Sequence, residues 1–100
     1  LSDYVLSKDA FTDLCEIRGY LRERYGSVFA LAAVRELRAA MRRIARDPMA
    51  GHLRQDLTES PFRFWTITPY IIIYTGARRP ISIVRVLHSS RNIAAIMKQR

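Results

Sequence analysis

Arg85, His88 and Arg91 are the side chains with the most chemistry in this sequence, and they fall close together near its end. An arginine presents a planar fork of donors that grips phosphates and carboxylates through paired bonds. A histidine beside such cations can donate a proton or hydrogen-bond a ligand. It can equally cap a strand end through a backbone contact. That is the reading adopted for His88, because polar groups at such positions usually satisfy backbone partners. Arg85 and His88 have odd spacing, so in a strand they face opposite sides. Arg63, on an earlier segment, can share a sheet face with Arg85, and together they read as an anion site. Lys98 and Arg100 extend this cationic set into the tail.

Other chemistries find less support. His52 and His88 are the two histidines and Cys15 the single cysteine. No metal site and no disulfide framework is expected from that set. The acids Asp47, Asp56 and Glu59 read as solvated, or as partners of nearby arginines, rather than as a hydrolytic pair. Cys15 follows Leu14 on a helical stripe and reads as a buried structural thiol. The four glycines, at 19, 26, 51 and 76, form no phosphate-cradling loop, and no cofactor is implied.

The charge is unevenly spread. The net charge is +8, and 15 of the 17 basic residues are arginines, with Lys8 and Lys98 the remainder. Residues 60–100 hold Arg63, Arg78, Arg79, Arg85, Arg91, Lys98 and Arg100 and no acid at all. Such asymmetry points to an anionic partner: nucleic acid, a nucleoprotein or an acidic protein segment.

These side chains need elements to position them. One hundred residues, 49% hydrophobic, make one domain, residues 1–100. No apolar run approaches the ~20 residues of a membrane span. The opening Leu1-Ser2-Asp3-Tyr4 has neither a basic stretch nor an apolar one, so a cytoplasmic protein is expected. Asp3 to Ser7 reads as a short strand with Ser7 as a helix cap. Ala10, Leu14, Ile17, Leu21 and Tyr25, widened by Phe11 and Cys15, predict a helix over about 8–25. Gly26 stops it and Ser27 is expected to cap the next. Ala30, Val34, Leu37, Met41 and Ile44, flanked by Val28, Leu31 and Ala45, predict a second helix to about Arg46. The short link makes the two an antiparallel hairpin. Residues 48–61 read as loop. Phe62–Thr68, Tyr70–Tyr74 and Ile81–Leu87 then read as three strands of an antiparallel meander, the middle one central because both its faces are apolar. Asn92–Gln99 reads as a short terminal helix. The fold class is α+β: strand, helical hairpin, three-stranded meander, short helix. Phe62, Phe64, Trp65, Tyr70 and Tyr74 stand among the arginines as core or partner-interface residues. The sheet face left uncovered by the helices is the expected interface.

In their order and spacing these segments resemble the ParE toxins of the RelE/ParE toxin–antitoxin superfamily over nearly the whole chain. The residues that carry the resemblance are Tyr4-Val5-Leu6-Ser7 with Ala10 and Asp13-Leu14; Tyr20 and Tyr25-Gly26; and Gly51 to Leu57. Arg63 and Trp65, Tyr70 to Tyr74, and above all Ile83 to His88 with Arg91 complete it. The resemblance implies a RelE/ParE-like α+β fold and a cytoplasmic type II toxin linked to plasmid stabilisation. It implies a toxin that traps DNA gyrase on cleaved DNA, with no covalent chemistry of its own. It also implies a hetero-oligomer with a ParD-type antitoxin. The target contacts expected on this basis are Arg63, Arg85, His88, Arg91, Lys98 and Arg100. The antitoxin contacts expected are Leu21, Tyr25, Arg54, Trp65, Tyr70 and Tyr74.

Two alternatives stay open. The RelE branch cuts messenger RNA on the ribosome, and His52, Arg54, Arg63 and Arg91 sit in regions comparable to its basic residues. That branch's lysines and C-terminal tyrosine are missing here. Arginine also stabilises charge but makes a poor general base, so the gyrase reading is preferred. A degenerate toxin acting only in antitoxin binding and autoregulation is the other. Asn92 stands where ParE-like chains commonly carry aspartate, which leaves the tail without an acid.

Overall fold

Ser7 ends a three-residue strand, β1 (Tyr4–Leu6), and starts the helix α1 (Lys8–Tyr25). This is seen in a computed structural model, which describes residues 4–76 and 79–99. The Ser7 hydroxyl accepts the Ala10 N–H at 3.0 Å and donates to the Val84 carbonyl at 2.8 Å. It therefore caps the helix and pins its start to a distant strand at once. Gly26 has φ 91°, a conformation glycine adopts without strain, and its N–H closes α1 on the Arg22 carbonyl. The helix α2 (Ser27–Arg46) follows immediately. Ser27 was expected to cap α2, but it is its first helical residue. Gly26 holds the cap position and offers its carbonyl to the Ala30 N–H.

The buried stripe is narrower than the sequence suggested. Ala10, Leu14 and Leu21 of α1 and Ala30, Leu37, Met41 and Ile44 of α2 are buried. Phe11, Val28 and Leu31 are exposed instead. Cys15, expected to be a buried thiol, is exposed too. Each lies off the line along which the helices meet each other and the sheet.

The sheet has five strands in the order β1-β5-β4-β3-β2, with β2 (His52–Leu53), β3 (Arg63–Ile67), β4 (Tyr70–Thr75) and β5 (Ile81–His88). β1 runs parallel to β5, and the other pairs are antiparallel. β4 is central, as its apolar run predicts, and Ile71, Ile72, Ile73 and Tyr74 are all buried. β2 lies inside the segment read as loop. It pairs only His52 with Phe64 and Leu53 with Arg63, too few residues to show a period. The peptides Thr68–Pro69 and Arg79–Pro80 are cis.

Each face of the sheet is packed. The helical hairpin covers Ile72, Tyr74, Ile81, Ile83 and Val86. Helix α3 (Ile93–Lys98), capped by the Asn92 side chain, covers Phe64, Ile71, Ile73, Val84 and Leu87 through Ile93 and Met97. Leu57 and Phe62 add to that second layer. The uncovered face expected as an interface therefore does not exist, because six residues of α3 and the loop before β3 close it.

Tyr74, expected as an antitoxin contact, is fully buried. Its hydroxyl donates to the Pro48 carbonyl at 2.6 Å and accepts the Gly51 N–H at 2.8 Å. Burial pushes its pKa up, and the Gly51 N–H pulls it partly back. Tyr74 is the internal post on which the 48–51 turn rests. Tyr74→Phe strands the buried Gly51 N–H and should cost about 1–3 kcal/mol. Thermal melting followed by circular dichroism checks this, at roughly 4–8 °C per kcal/mol for a domain of this size.

Candidate functional site: an aromatic groove at the tip of the hairpin

The two helices diverge from the sheet at their shared tip and leave a groove of approximately 770 Å³. Leu21 and Tyr25 of α1 and Phe29 of α2 form one wall. The β3–β4 turn at Thr68-Pro69-Tyr70 and the end of β5 form the other. Tyr20, Tyr25 and Phe29 are each more than half exposed, a concentration of aromatic surface unusual for a lone domain. The Tyr25 and Phe29 rings sit 4.9 Å apart across the hairpin turn. Tyr70 meets His88 edge-on at 5.6 Å, as cross-strand neighbours. Burial, followed by the nearby Tyr20 and Tyr25 hydroxyls, pushes the Tyr70 pKa up.

The far wall is held by backbone bonds. The Ser89 N–H donates to the Pro69 carbonyl at 2.8 Å, and the Arg91 N–H to the His88 carbonyl at 3.0 Å. His88 Nδ1 accepts the Ser90 N–H at 3.0 Å, so the histidine caps the strand end as expected. The Arg91 side chain is left exposed at the groove mouth. Glu16 and Glu36 line the helical side, opposite Arg91.

The groove thus gathers Leu21, Tyr25 and Tyr70 from one expected set with His88 and Arg91 from the other. The remaining candidates lie elsewhere. Arg54 pairs with Asp56 at 2.7 Å on the surface, lowering the Asp56 pKa through that hydrogen bond. Exposed pairs of this kind contribute little. Arg63 donates to the Gly51 carbonyl at 2.7 Å, and Trp65 packs half-buried under the end of α2. Lys98 is exposed in the last turn of α3, and Arg100 lies outside the described residues.

Arg85 needs the clearest correction. It is not free to grip an outside anion together with Arg63. Its guanidinium makes two bonds of 2.8 Å to the Asp13 carboxylate, which is buried. The strand is bulged at this point: Ile73 pairs with Arg85 and Tyr74 with Ile83, so Val84 is skipped. Asp13 also accepts the Val86 N–H at 2.9 Å. The hydrogen bonds it donates to Asp13 hold the Arg85 pKa above its ordinary value against the opposing effect of burial. β1 pairs only Ile81 to Ile83, so beyond it the edge of β5 is finished by Asp13 rather than by a strand.

Asp13 was overlooked as a partner because an acid beside Leu14 in a helix reads as surface. Phe29 was overlooked because it lies off the apolar stripe. A signal existed in Tyr20, Tyr25 and Phe29 clustered around Gly26, a concentration that a helix tip does not need for its own packing. Among the described residues, no group of three or more His, Cys, Asp or Glu could hold a metal ion, and no helix is long and apolar enough to cross a membrane.

The sequence model for the ParE toxin of type II toxin–antitoxin systems, parDE, matches residues 4–93. Toxin ParE1 of Caulobacter vibrioides is 33% identical over 95 residues, covering 95% of this chain and 97% of that protein. A chain of the chromosomal ParDE toxin–antitoxin system from P. aeruginosa superposes with a TM-score of 0.73 at 21% identity. The match covers 87% of this chain and 95% of that one, and it shows the shared fold.

Proposed function

The chain belongs to the ParE family of type II toxins, and from that premise we propose that it traps DNA gyrase on cleaved DNA and is silenced by a ParD-type antitoxin seated in the groove. The observation that carries the proposal is the groove itself. Exposed aromatic walls of this size suit an amphipathic partner segment. The same groove opens on His88 and Arg91. An antitoxin lying there covers His88 and Arg91, both assigned to the target, so neutralisation follows from occlusion. His88, Arg91 and Lys98, with Arg63 and Arg100, remain the assigned target contacts, and their role is to hold an anionic or acidic surface.

Binding alone suffices for such a toxin. His88 ends β5 and His52 stands on β2, three strands away. That is about 14 Å across the sheet at ~4.8 Å per strand, so the two do not form an acid–base pair. His88 Nδ1 is also engaged with Ser90.

The test adds the purified chain to gyrase, supercoiled plasmid and ATP, then detergent and protease. Linear DNA should accumulate, and an equimolar antitoxin should abolish it. Arg91→Glu should reduce potency about tenfold or more, as loss of a centrally placed charged contact does. Cut messenger in a translating extract without linear DNA would move the chain to ribonuclease chemistry. Neither effect from a folded sample would identify a degenerate toxin.

A further inference from the structure

Helix α2 carries a second cationic surface, away from the groove. Arg35, Arg42 and Arg46 fall within about 40° of one another around the helix axis, and Arg35 to Arg46 spans ~16 Å along it. All three are exposed, as is Arg43. None of the four makes an ion pair among the described residues. Arg38, by contrast, is half-buried and donates to the Tyr4 hydroxyl, so it serves the fold. Arg79 reaches the Ala45 carbonyl and places another cation at the same end.

Only the end of the row has a structural purpose. Cations near a helix C-terminus complement its dipole, which accounts for Arg43 and Arg46. It does not account for Arg35 and Arg42, which lie further in, and like charges one turn apart disfavour a helix. The row ends in a notch of approximately 280 Å³ formed by Arg43, Arg46, Ile44, Asp47, Ala50 and Trp65. The partly buried Trp65 indole lines that notch beside the two arginines.

We propose that this row binds the phosphodiester backbone of duplex DNA, with Trp65 at one end of the contact. A rigid line of ~16 Å is long enough for each of its three arginines to meet a phosphate of the duplex, which carries one charge per ~1.7 Å of its axis. Between Arg35 and Arg46 this face carries no exposed large apolar side chain, and Val28 and Leu31 lie beyond its start. Release of condensed counterions supplies the drive instead. The proposal goes beyond the gyrase reading and is tested without gyrase.

The probe is a fluorescein-labelled 20-base-pair duplex titrated with the full chain, by anisotropy, from 50 to 200 mM salt. Trp65 is the only tryptophan, so its emission reports the contact directly. The expected slope of log affinity on log salt is about −2.7 for three contacts. R35E/R42E/R46E should bind at least ~10-fold more weakly with a shallower slope. K8E/R18E/R22E makes the same change of charge at exposed sites on α1 and should stay within ~3-fold. Both variants should keep the parent far-ultraviolet spectrum and melting point. No binding by the parent chain overturns the proposal. So do equal losses in the two variants, which would mean net charge alone. Equally tight binding of a polyglutamate of matched charge would mean an acidic protein partner and overturns it as well.

Discussion

Asp13→Ala is expected to lower stability by about 3 kcal/mol, the scale for removing one member of a buried ion pair. The melting midpoint should then fall by on the order of 15 °C, since a domain this size loses about 4–8 °C per kcal/mol. Three bonds end on this one carboxylate: two from Arg85 and one from the Val86 N–H. Alanine leaves the guanidinium without its counter-charge and the strand edge without an acceptor. Asp13→Asn keeps an acceptor for Val86 and should fall between the two. Arg85→Ala leaves the carboxylate one backbone donor, and the Asp13→Ala/Arg85→Ala pair should be less unstable than the summed single variants. Melting by circular dichroism decides. A midpoint for Asp13→Ala within 2 °C of the parent would mean that the pair contributes nothing. The result also governs how toxicity is read. Arg85→Glu sets two carboxylates against each other inside the fold, so lost toxicity there reports unfolding. Arg91 is exposed, so a charge reversal there tests the proposed target contact without disturbing the core.

What the sequence displays, and what it hides, follows from how local each signal is. Ser7, Gly26 and the stripe Ala10, Leu14 and Leu21 announce α1 because cap, stop and period all act within one turn. β4 is legible because Tyr70 to Tyr74 is apolar on both faces, which only a central strand tolerates. β2 is hidden, since two residues carry no period and their pairing depends on Phe64 and Arg63 arriving later in the chain. The Asp13–Arg85 pair joins residues 72 positions apart, next to a bulge. No spacing rule anticipates such a contact, and an arginine reads as free until its partner is seen. The same holds for Tyr74, an aromatic whose hydroxyl is committed to Pro48 and Gly51. Among the candidate residues, Tyr25, His88 and Arg91 stand exposed at element ends, where a sequence can place them in space. Those that turned out internal were misread because their partners are distant in the chain.

The groove yields the other large effect. Tyr25→Glu combined with Phe29→Glu should weaken antitoxin binding at least ~100-fold, about 2.7 kcal/mol at 25 °C. Both rings are more than half exposed, so the fold loses little when they are replaced. Their loss removes the aromatic wall, and the new charges join Glu16 and Glu36 on the same side of the groove. Calorimetric titration of the full toxin with its antitoxin checks the affinity, and melting of the free variant checks the fold. Trapping of gyrase by the free variant should match the parent, because neither ring is assigned to the target. The variant should then resist neutralisation, and linear DNA should persist at antitoxin concentrations that silence the parent. Unchanged antitoxin affinity would place the antitoxin elsewhere on the toxin while leaving gyrase trapping intact. Loss of trapping with a normal melting point would instead assign the hairpin tip to the target. The two surfaces are separable because the aromatics lie on the helical wall and Arg91 on the sheet wall of the same cleft. A partner that spans the cleft must touch both.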